Sequence, residues 1–286
     1  MTEHKETGTL FLTATPIGNL DDITIRALDI LKKVDIVAAE DTRRTRKLLS
    51  FYDIHKPLIS FREHNKIYQG QKIIGMLKEG KNVALCSDAG MPVISDPGED
   101  FIRLCIDEDI PFTIIPGANA AISALVLSGF SANTFLYLGF IPRKKKKKRE
   151  FLENISKEPH TLIFYESPKR VVPLLEAVYE VMGDRRVCVV RELTKIHEEA
   201  IRGETTQIIG ELKDRELRGE FTIIIEGFVE EENDGDYLDV TEIVSEVEKL
   251  TSEGMSKNDA FKKIAPKYHT SKRAIYSIYL TYQEKK

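Results

Sequence analysis

The stretch Val83–Gly98, VALCSDAGMPVISDPG, decides how the chain is read. Val83-Ala84-Leu85-Cys86 has the length and composition of a buried strand. Ser87-Asp88-Ala89-Gly90 breaks it, and Asp96-Pro97-Gly98-Glu99 restarts the chain as a helix. Open α/β sheets hold polar ligands beyond the carboxyl ends of their strands, and a small-residue loop beside a carboxylate suits that place. Ala89 and Gly90 let a ligand approach the backbone. Asp88 is able to accept hydrogen bonds from hydroxyls or to offset a positive charge. A surface turn containing Asp and Gly accounts for the same residues without a ligand. Asp96 reads first as a helix cap, with Pro97 at N1 and Glu99 at N3, and second as a ligand contact.

The same pattern repeats upstream and downstream. Strands are expected at 8–15, 34–39, 57–61, 82–86 and 112–115, with helices after Asp21 or Asp22 and over 42–51, 66–79 and 97–109. Such alternation predicts a mostly parallel sheet covered on both faces. Four strand ends carry small or polar residues: Pro16–Asn19, Glu40-Asp41, Ser87–Gly90 and Gly117–Asn119. In a parallel sheet all four line one edge. A second α/β unit is expected, with strands near 135–141, 161–165, 186–191 and 221–228 and a hairpin over Glu199–Gln207 turning at Gly203. Residues 230–239 hold an acidic run, EEENDGD, that reads as a linker. Three capped helices over 240–286 resemble a helix-turn-helix module. The expected divisions are 1–118, 119–229, 230–239 and 240–286.

The 286 residues carry a net charge of −4, so nucleic-acid binding would have to come from local patches. Cys86, Cys105 and Cys188 are far apart in apolar segments, which suits core packing in a reducing compartment. The histidines lack ligand spacing, so no metal is expected. No apolar run reaches spanning length and Met1–Thr7 is polar, so a cytoplasmic, non-membrane protein is expected. Neither G-x-G-x-x-G nor G-x-x-x-x-G-K-[ST] occurs, which removes the usual dinucleotide and phosphate loops. The loudest charge signal is Arg143, Lys144, Lys145, Lys146, Lys147, Lys148 and Arg149, seven basic residues in succession. Phosphate neutralisation is the physical use of such a run, a solvated helix face the plainer one. Arg43, Arg44, Lys169 and Arg170 would extend that surface.

These motifs together resemble the tetrapyrrole-methylase-fold (class III) methyltransferases. Within them the chain is similar to the branch that methylates a cytidine ribose 2′-hydroxyl in small-subunit (16S) ribosomal RNA. The residues that carry the likeness are Ala14–Leu20, Ala39–Arg43, His64-Asn65, Ser87–Gly90 and Ile94–Gly98. Pro116–Ala118, Gly139–Arg143, Phe164–Pro168 and Arg191–Lys195 complete it. Met91 departs from the pattern, which has Thr after the glycine. The resemblance implies two α/β domains with S-adenosylmethionine in the cleft between them, and a homodimer. By position it makes Pro16, Ser87, Asp88, Ala89, Gly90, Asn119, Ala120 and Tyr165 cofactor contacts. A ribose hydroxyl is a poor nucleophile while protonated, so a general base helps. Glu40, Asp41, His64 and Lys195 are the candidates. The lysine run, with Lys267, Lys272 and Arg273 of the C-terminal helices, would dock ribosomal RNA or the assembled small subunit. A tetrapyrrole substrate leaves Arg143–Arg149 without a use. A non-catalytic RNA-binding protein leaves the intact Ser87–Gly90 loop without one.

Overall fold

Strand β4 (Val83–Cys86) lies at the centre of a five-stranded sheet in a computed structural model that describes residues 6–229, 240–268 and 270–284. Its neighbours are β1 (Leu10–Thr13) and β2 (Ile36–Ala39). β5 (Phe112–Ile115) and β3 (Leu58–Ser60) close the two edges, giving the order β3-β2-β4-β1-β5. All pairings are parallel. Cys86 is in register with Thr13 and Ala39, and Thr13 with Ile115. The four strands therefore end side by side, and the loops after them leave from one edge.

The two-residue period of a strand sorts its side chains between two cores. Val83 and Leu85 face Phe61, Ile73, Leu77 and Phe101, under α3 (Lys66–Lys78) and α4 (Glu99–Asp107). Ala84 and Cys86 face Leu31, Val34 and Leu49, under α1 (Ile25–Lys33) and α2 (Thr42–Phe51). Leu10 and Leu77 are fully buried, and truncating such a leucine to alanine costs about 2–5 kcal/mol.

A second five-stranded sheet follows α5 (Ala120–Ser128). Its strands are β6 (Phe135–Phe140), β7 (Thr161–Glu166), β8 (Arg186–Arg191), β9 (Glu199–Glu204) and β10 (Phe221–Ile225). The order is β6-β7-β10-β8-β9; β6 and β7 are parallel and the remaining pairs antiparallel. α5 covers one face through Ala121, Ala124 and Leu125 on Ile163, Val190 and Ile224. α6 (Lys145–Asn154), α7 (Val171–Met182) and α8 (Thr205–Leu212) cover the other, with Leu152, Leu174 and Ile208 in its core.

Two local expectations are overturned. The chain does not turn at Gly203: β9 runs through it, pairing Gly203 with Val187, and the hairpin loop is 192–198. α8 starts at Thr205 because Asp184 fixes the next residue, accepting from the Thr206 amide at 2.9 Å and hydroxyl at 2.6 Å. Asp96 does not cap α4. Gly98 holds that position with φ 147°, a backbone shape that suits glycine, and Asp96 is drawn elsewhere.

Two compact units divide at Phe228 and Val229. The second contains α9 (Val240–Ser252), α10 (Lys257–Ile264) and α11 (Lys272–Glu284) around Ile243, Val247, Phe261 and Ile275. Ser256 caps α10, accepting from the Asp259 amide at 3.2 Å, and Lys267 pairs with Glu246. The expected acidic linker, 230–239, lies outside the described residues.

Candidate active site

The common edge of the first sheet opens into a cleft of about 420 Å3. Ile17 reaches it from the loop after β1, Glu40 from the end of β2, Asp88–Met91 from the loop after β4, and Asn119-Ala120 from the turn into α5. The second sheet supplies the facing wall, chiefly Phe140, Tyr165, Val190, Leu193 and Thr222. All four strand ends singled out in the sequence thus meet in one hollow.

Backbone and side-chain bonds hold its shape. Thr15 and Gly90 exchange amide hydrogen bonds at 2.9 and 3.0 Å, tying the β1 and β4 loops together. Gly90 sits at φ 79°, and a Cβ there would meet Ile17 Cγ2 at 3.2 Å. Ser87 is buried and its hydroxyl donates to the Gly90 carbonyl at 3.1 Å. Asn119 caps α5, accepting from the Ile122 amide at 3.1 Å. The Ala121 amide donates to the Tyr165 hydroxyl at 3.1 Å, joining α5 to the second sheet. Phe140 and Tyr137 pack edge-on against Tyr165 at 5.8 and 5.3 Å. At one end the loops from the two sheets touch. The Asn19 amide donates to Thr194 Oγ1 at 3.0 Å, and a Cβ on Gly18 would lie 2.5 Å from Lys195 Cγ.

The cleft is acidic. Asp88 Oδ1 accepts from the Asp41 amide at 2.8 Å, and its Oδ2 lies 3.5 Å from Arg44 Nη1. Burial, and next the charge of Asp88, raises the pKa of Glu40 above the usual carboxylate range. Burial, and then Glu40, pushes Asp96 up to about 7, with Ser87 opposing. Burial foremost, with Tyr137 beside it, keeps the Tyr165 phenol protonated. Three carboxylates held out of bulk water favour a cation in their midst.

The residues expected at the site separate into groups. Asp88, Ala89, Gly90, Asn119, Ala120 and Tyr165 line the cleft, whereas Pro16 and Ser87 line the hollow beside it. Of the four acid–base candidates, Glu40 stands in the cleft and Lys195 in the adjoining hollow. Burial works to lower the Lys195 pKa, but its contacts to Glu192 at 2.9 Å and Glu220 at 3.2 Å outweigh this and raise it. Asp41 caps α2 and grips Arg43, whose hydrogen bonds hold its carboxyl far below the ordinary range. His64 is exposed in the turn before α3 and lines neither hollow.

Among the basic residues, Arg44 lines the cleft and Arg43 is exposed beside Asp41. Arg143, Lys144, Lys145, Lys146 and Lys147 are exposed at the start of α6. Lys148 turns inward, donating to the Pro173 carbonyl at 2.7 Å. Lys169 is exposed. Arg170 lies 2.8 Å from Glu166, whose side chain is 1% exposed, and donates to the Ile141 carbonyl at 2.9 Å. Sequence reasoning missed Val190 and Thr222, which no local motif marks, and gave Phe140 no contact although it lies within the Gly139–Arg143 motif. It also gave Asp96 the wrong first role, although the D-P-G run drew attention to it.

The cleft fits S-adenosylmethionine on its own chemistry. Its volume falls within the range of small-ligand sites. Its carboxylates match a sulfonium, and at Gly90 a left-handed backbone and the nearby Ile17 methyl disfavour a side chain. Among the described residues there is no group of three or more His, Cys, Asp or Glu side chains placed to hold a metal, and no helix is long and apolar enough to cross a membrane.

Comparison with known proteins agrees. The family of tetrapyrrole (corrin/porphyrin) methylases matches residues 9–209. A Bacillus subtilis protein named ribosomal RNA small subunit methyltransferase I is 45% identical over 277 residues, 96% of this chain and 95% of its own. A Thermotoga maritima protein of the same name is 48% identical over 202 residues, 71% of this chain and 90% of its own. Diphthine synthase has a similar fold, with a TM-score of 0.60 at 13% identity, covering 77% of this chain and 90% of that one. Cobalt precorrin-4 methyltransferase gives 0.58 at 16% identity, covering 76% and 94%. With the cleft at the strand ends and these matches along most of its length, the chain belongs to the tetrapyrrole methylase family.

Proposed function

We propose that this protein transfers a methyl group from S-adenosylmethionine to the 2′-oxygen of a cytidine ribose in small-subunit ribosomal RNA. The carrying observation is the acidic cleft, built where four parallel strands end, in a chain 45% identical to a relative named ribosomal RNA small subunit methyltransferase I. We take residues 1–118 and 119–229 as the lobes on either side of it.

When bound, S-adenosylmethionine supplies an electrophilic methyl group on a positively charged sulfur. Glu40, Asp88 and Asp96 line the cleft and would offset that charge. The tight Ala89-Gly90 backbone and the Tyr165–Phe140 wall fix the orientation, and in-line alignment alone removes a large part of the barrier. Of the four acid–base candidates, Glu40 lines the cleft and has a raised affinity for protons, so it would take the hydroxyl proton as the methyl passes to oxygen and the sulfur is left as a neutral thioether. Lys195 stays protonated and serves charge. Arg143–Lys147 dock the RNA backbone. A tetrapyrrole substrate has no use for that basic run.

The protein acts in the cytoplasm as a homodimer. Edge strand β5 leaves Phe112 and Ile114 uncovered on one face, and α5 leaves Ile122 and Val126 uncovered, which suits a second copy. Sedimentation equilibrium is expected to give twice the chain mass.

The decisive experiment uses small subunits from cells lacking this modification, with radiolabelled S-adenosylmethionine and nuclease mapping. Label is expected at one cytidine whose 3′ linkage resists alkali, because the 2′-oxygen is blocked. Label on a base, or none on RNA, overturns the reading. Glu40→Gln is expected to lower kcat about 10²–10⁴-fold, the usual share of a general base, with cofactor affinity measured alongside by calorimetry.

A further inference from the structure

Next to the cleft lies a second hollow of about 480 Å3. The two share Ile17, Arg44, Asp88, Ala89 and Glu220. Their chemistry differs. The cleft gathers carboxylates, whereas the hollow is ringed by Arg44, Lys47 and Lys195 and has Phe51 at its rim.

The sequence of α2 explains this. In TRRTRKLLSF, Arg44, Lys47, Leu48 and Phe51 recur at helical spacing and share one face. Leu49, on the other side, is buried in the core, and the buried Thr45 closes the floor of the hollow. Phe51 is 61% exposed, although a phenylalanine at a helix end is easily folded inward. Its ring is held in place edge-on by Tyr52 at 4.9 Å, and the Tyr52 hydroxyl donates to the Leu20 carbonyl at 2.5 Å. Lys47 enters no ion pair among the described residues. Asp88 and Glu220 partly offset Arg44 and Lys195, leaving Lys47 as the surplus positive charge. A rigid exposed aromatic beside cations is the arrangement that binds an unstacked nucleotide: the ring stacks the base and the cations hold phosphate.

We propose that this hollow seats the target nucleotide of the RNA, with its base on Phe51 and its phosphates on Lys47, Arg44 and Lys195. Its ribose hydroxyl then enters the cleft over the shared Asp88-Ala89 wall. The inference rests on the methyl-transfer reading and names where that reaction's acceptor sits.

The test uses the full chain, with small subunits as the varied substrate and S-adenosylmethionine binding followed separately by calorimetry. Phe51→Ala is expected to lower kcat/KM for the subunit about tenfold or more, since a stacked base is worth that much. Phe51→Tyr, which keeps the stacking face, restores it. Lys47→Ala is expected to flatten the salt dependence by about one phosphate contact. Cofactor affinity stays at the wild-type value in all three. Unchanged kcat/KM in Phe51→Ala, or Phe51→Tyr as impaired as Phe51→Ala, overturns the inference while leaving the function standing. Loss of cofactor affinity in Phe51→Ala also overturns it, because the hollow then belongs to the donor. Wild-type protein that binds cofactor yet labels no RNA overturns the functional reading itself.

Discussion

Asp96 combines two opposing demands on one carboxyl. Its pKa stands at about 7, raised by burial and Glu40, against an ordinary 3.8 in the unfolded chain. The folded protein therefore holds the extra proton between those values, and folding stability declines as pH rises from about 4 to about 7. A cation in the cleft favours the ionised form, so S-adenosylmethionine affinity is expected to rise through about pH 7 and then level. Asp96→Asn is expected to abolish that rise, weaken binding at about pH 8, and raise the melting temperature there. Calorimetry and thermal scans at about pH 6 and pH 8 check both signs. Gly90→Ala places a Cβ at φ 79° against Ile17 and is expected to cost about 1–2 kcal/mol in denaturant titrations. Asp88 was legible in sequence because a strand running into Asp-Ala-Gly leaves a carboxylate at the sheet edge. Asp96 was misjudged because Asp-Pro-Gly-Glu is also a cap pattern. Only the unusual backbone of Gly98, pressed against Val93, shows that the helix starts two residues later.

At the level of elements, the basic run and its neighbours divide into exposed and inward-turned side chains. Arg170 faces a carboxylate that is nearly sealed from water, so Arg170→Ala strands Glu166 and is expected to cost about 2–4 kcal/mol. Adding Glu166→Gln is expected to recover much of that loss, which equilibrium unfolding measures. Replacing Lys144–Lys147 with Ala, and sparing the inward Lys148, is expected to weaken RNA binding and flatten its salt slope without a change in melting temperature. An unaltered slope would assign the run to solvent. Helix α2 was readable to the residue, since Asp41 at the end of β2 supplies a cap directly before it. The β8–β9 hairpin was not. Gly203 drew attention as a turn residue, but the bend falls at 192–198, where Glu192 and Thr194 take positive φ without any glycine.

Across the whole molecule, the parallel sheet was legible because strands alternate with helices at short, even spacing. The mixed order of the second sheet was not, since β10 inserts between β7 and β8 from 55 residues beyond β7. Which hollow faces which depends on such long-range placement, and local pattern carries none of it. The helical unit after Phe228 has its own core. A chain ending at Phe228 is expected to fold and to bind S-adenosylmethionine within about twofold of the full chain, as separate units contribute independently; calorimetry on the truncated protein decides. Cys86, Cys105 and Cys188 are each sealed in the interior of the unit ending at Phe228, with Cys86 pushed up to about 12 and Cys105 to about 11 by burial. An alkylating reagent such as iodoacetamide therefore finds nothing to modify until the chain opens, and the pace at which mass is added becomes a stopwatch for unfolding. Cys86 ends the strand whose following loop lines the cleft, so added cofactor is expected to slow that clock.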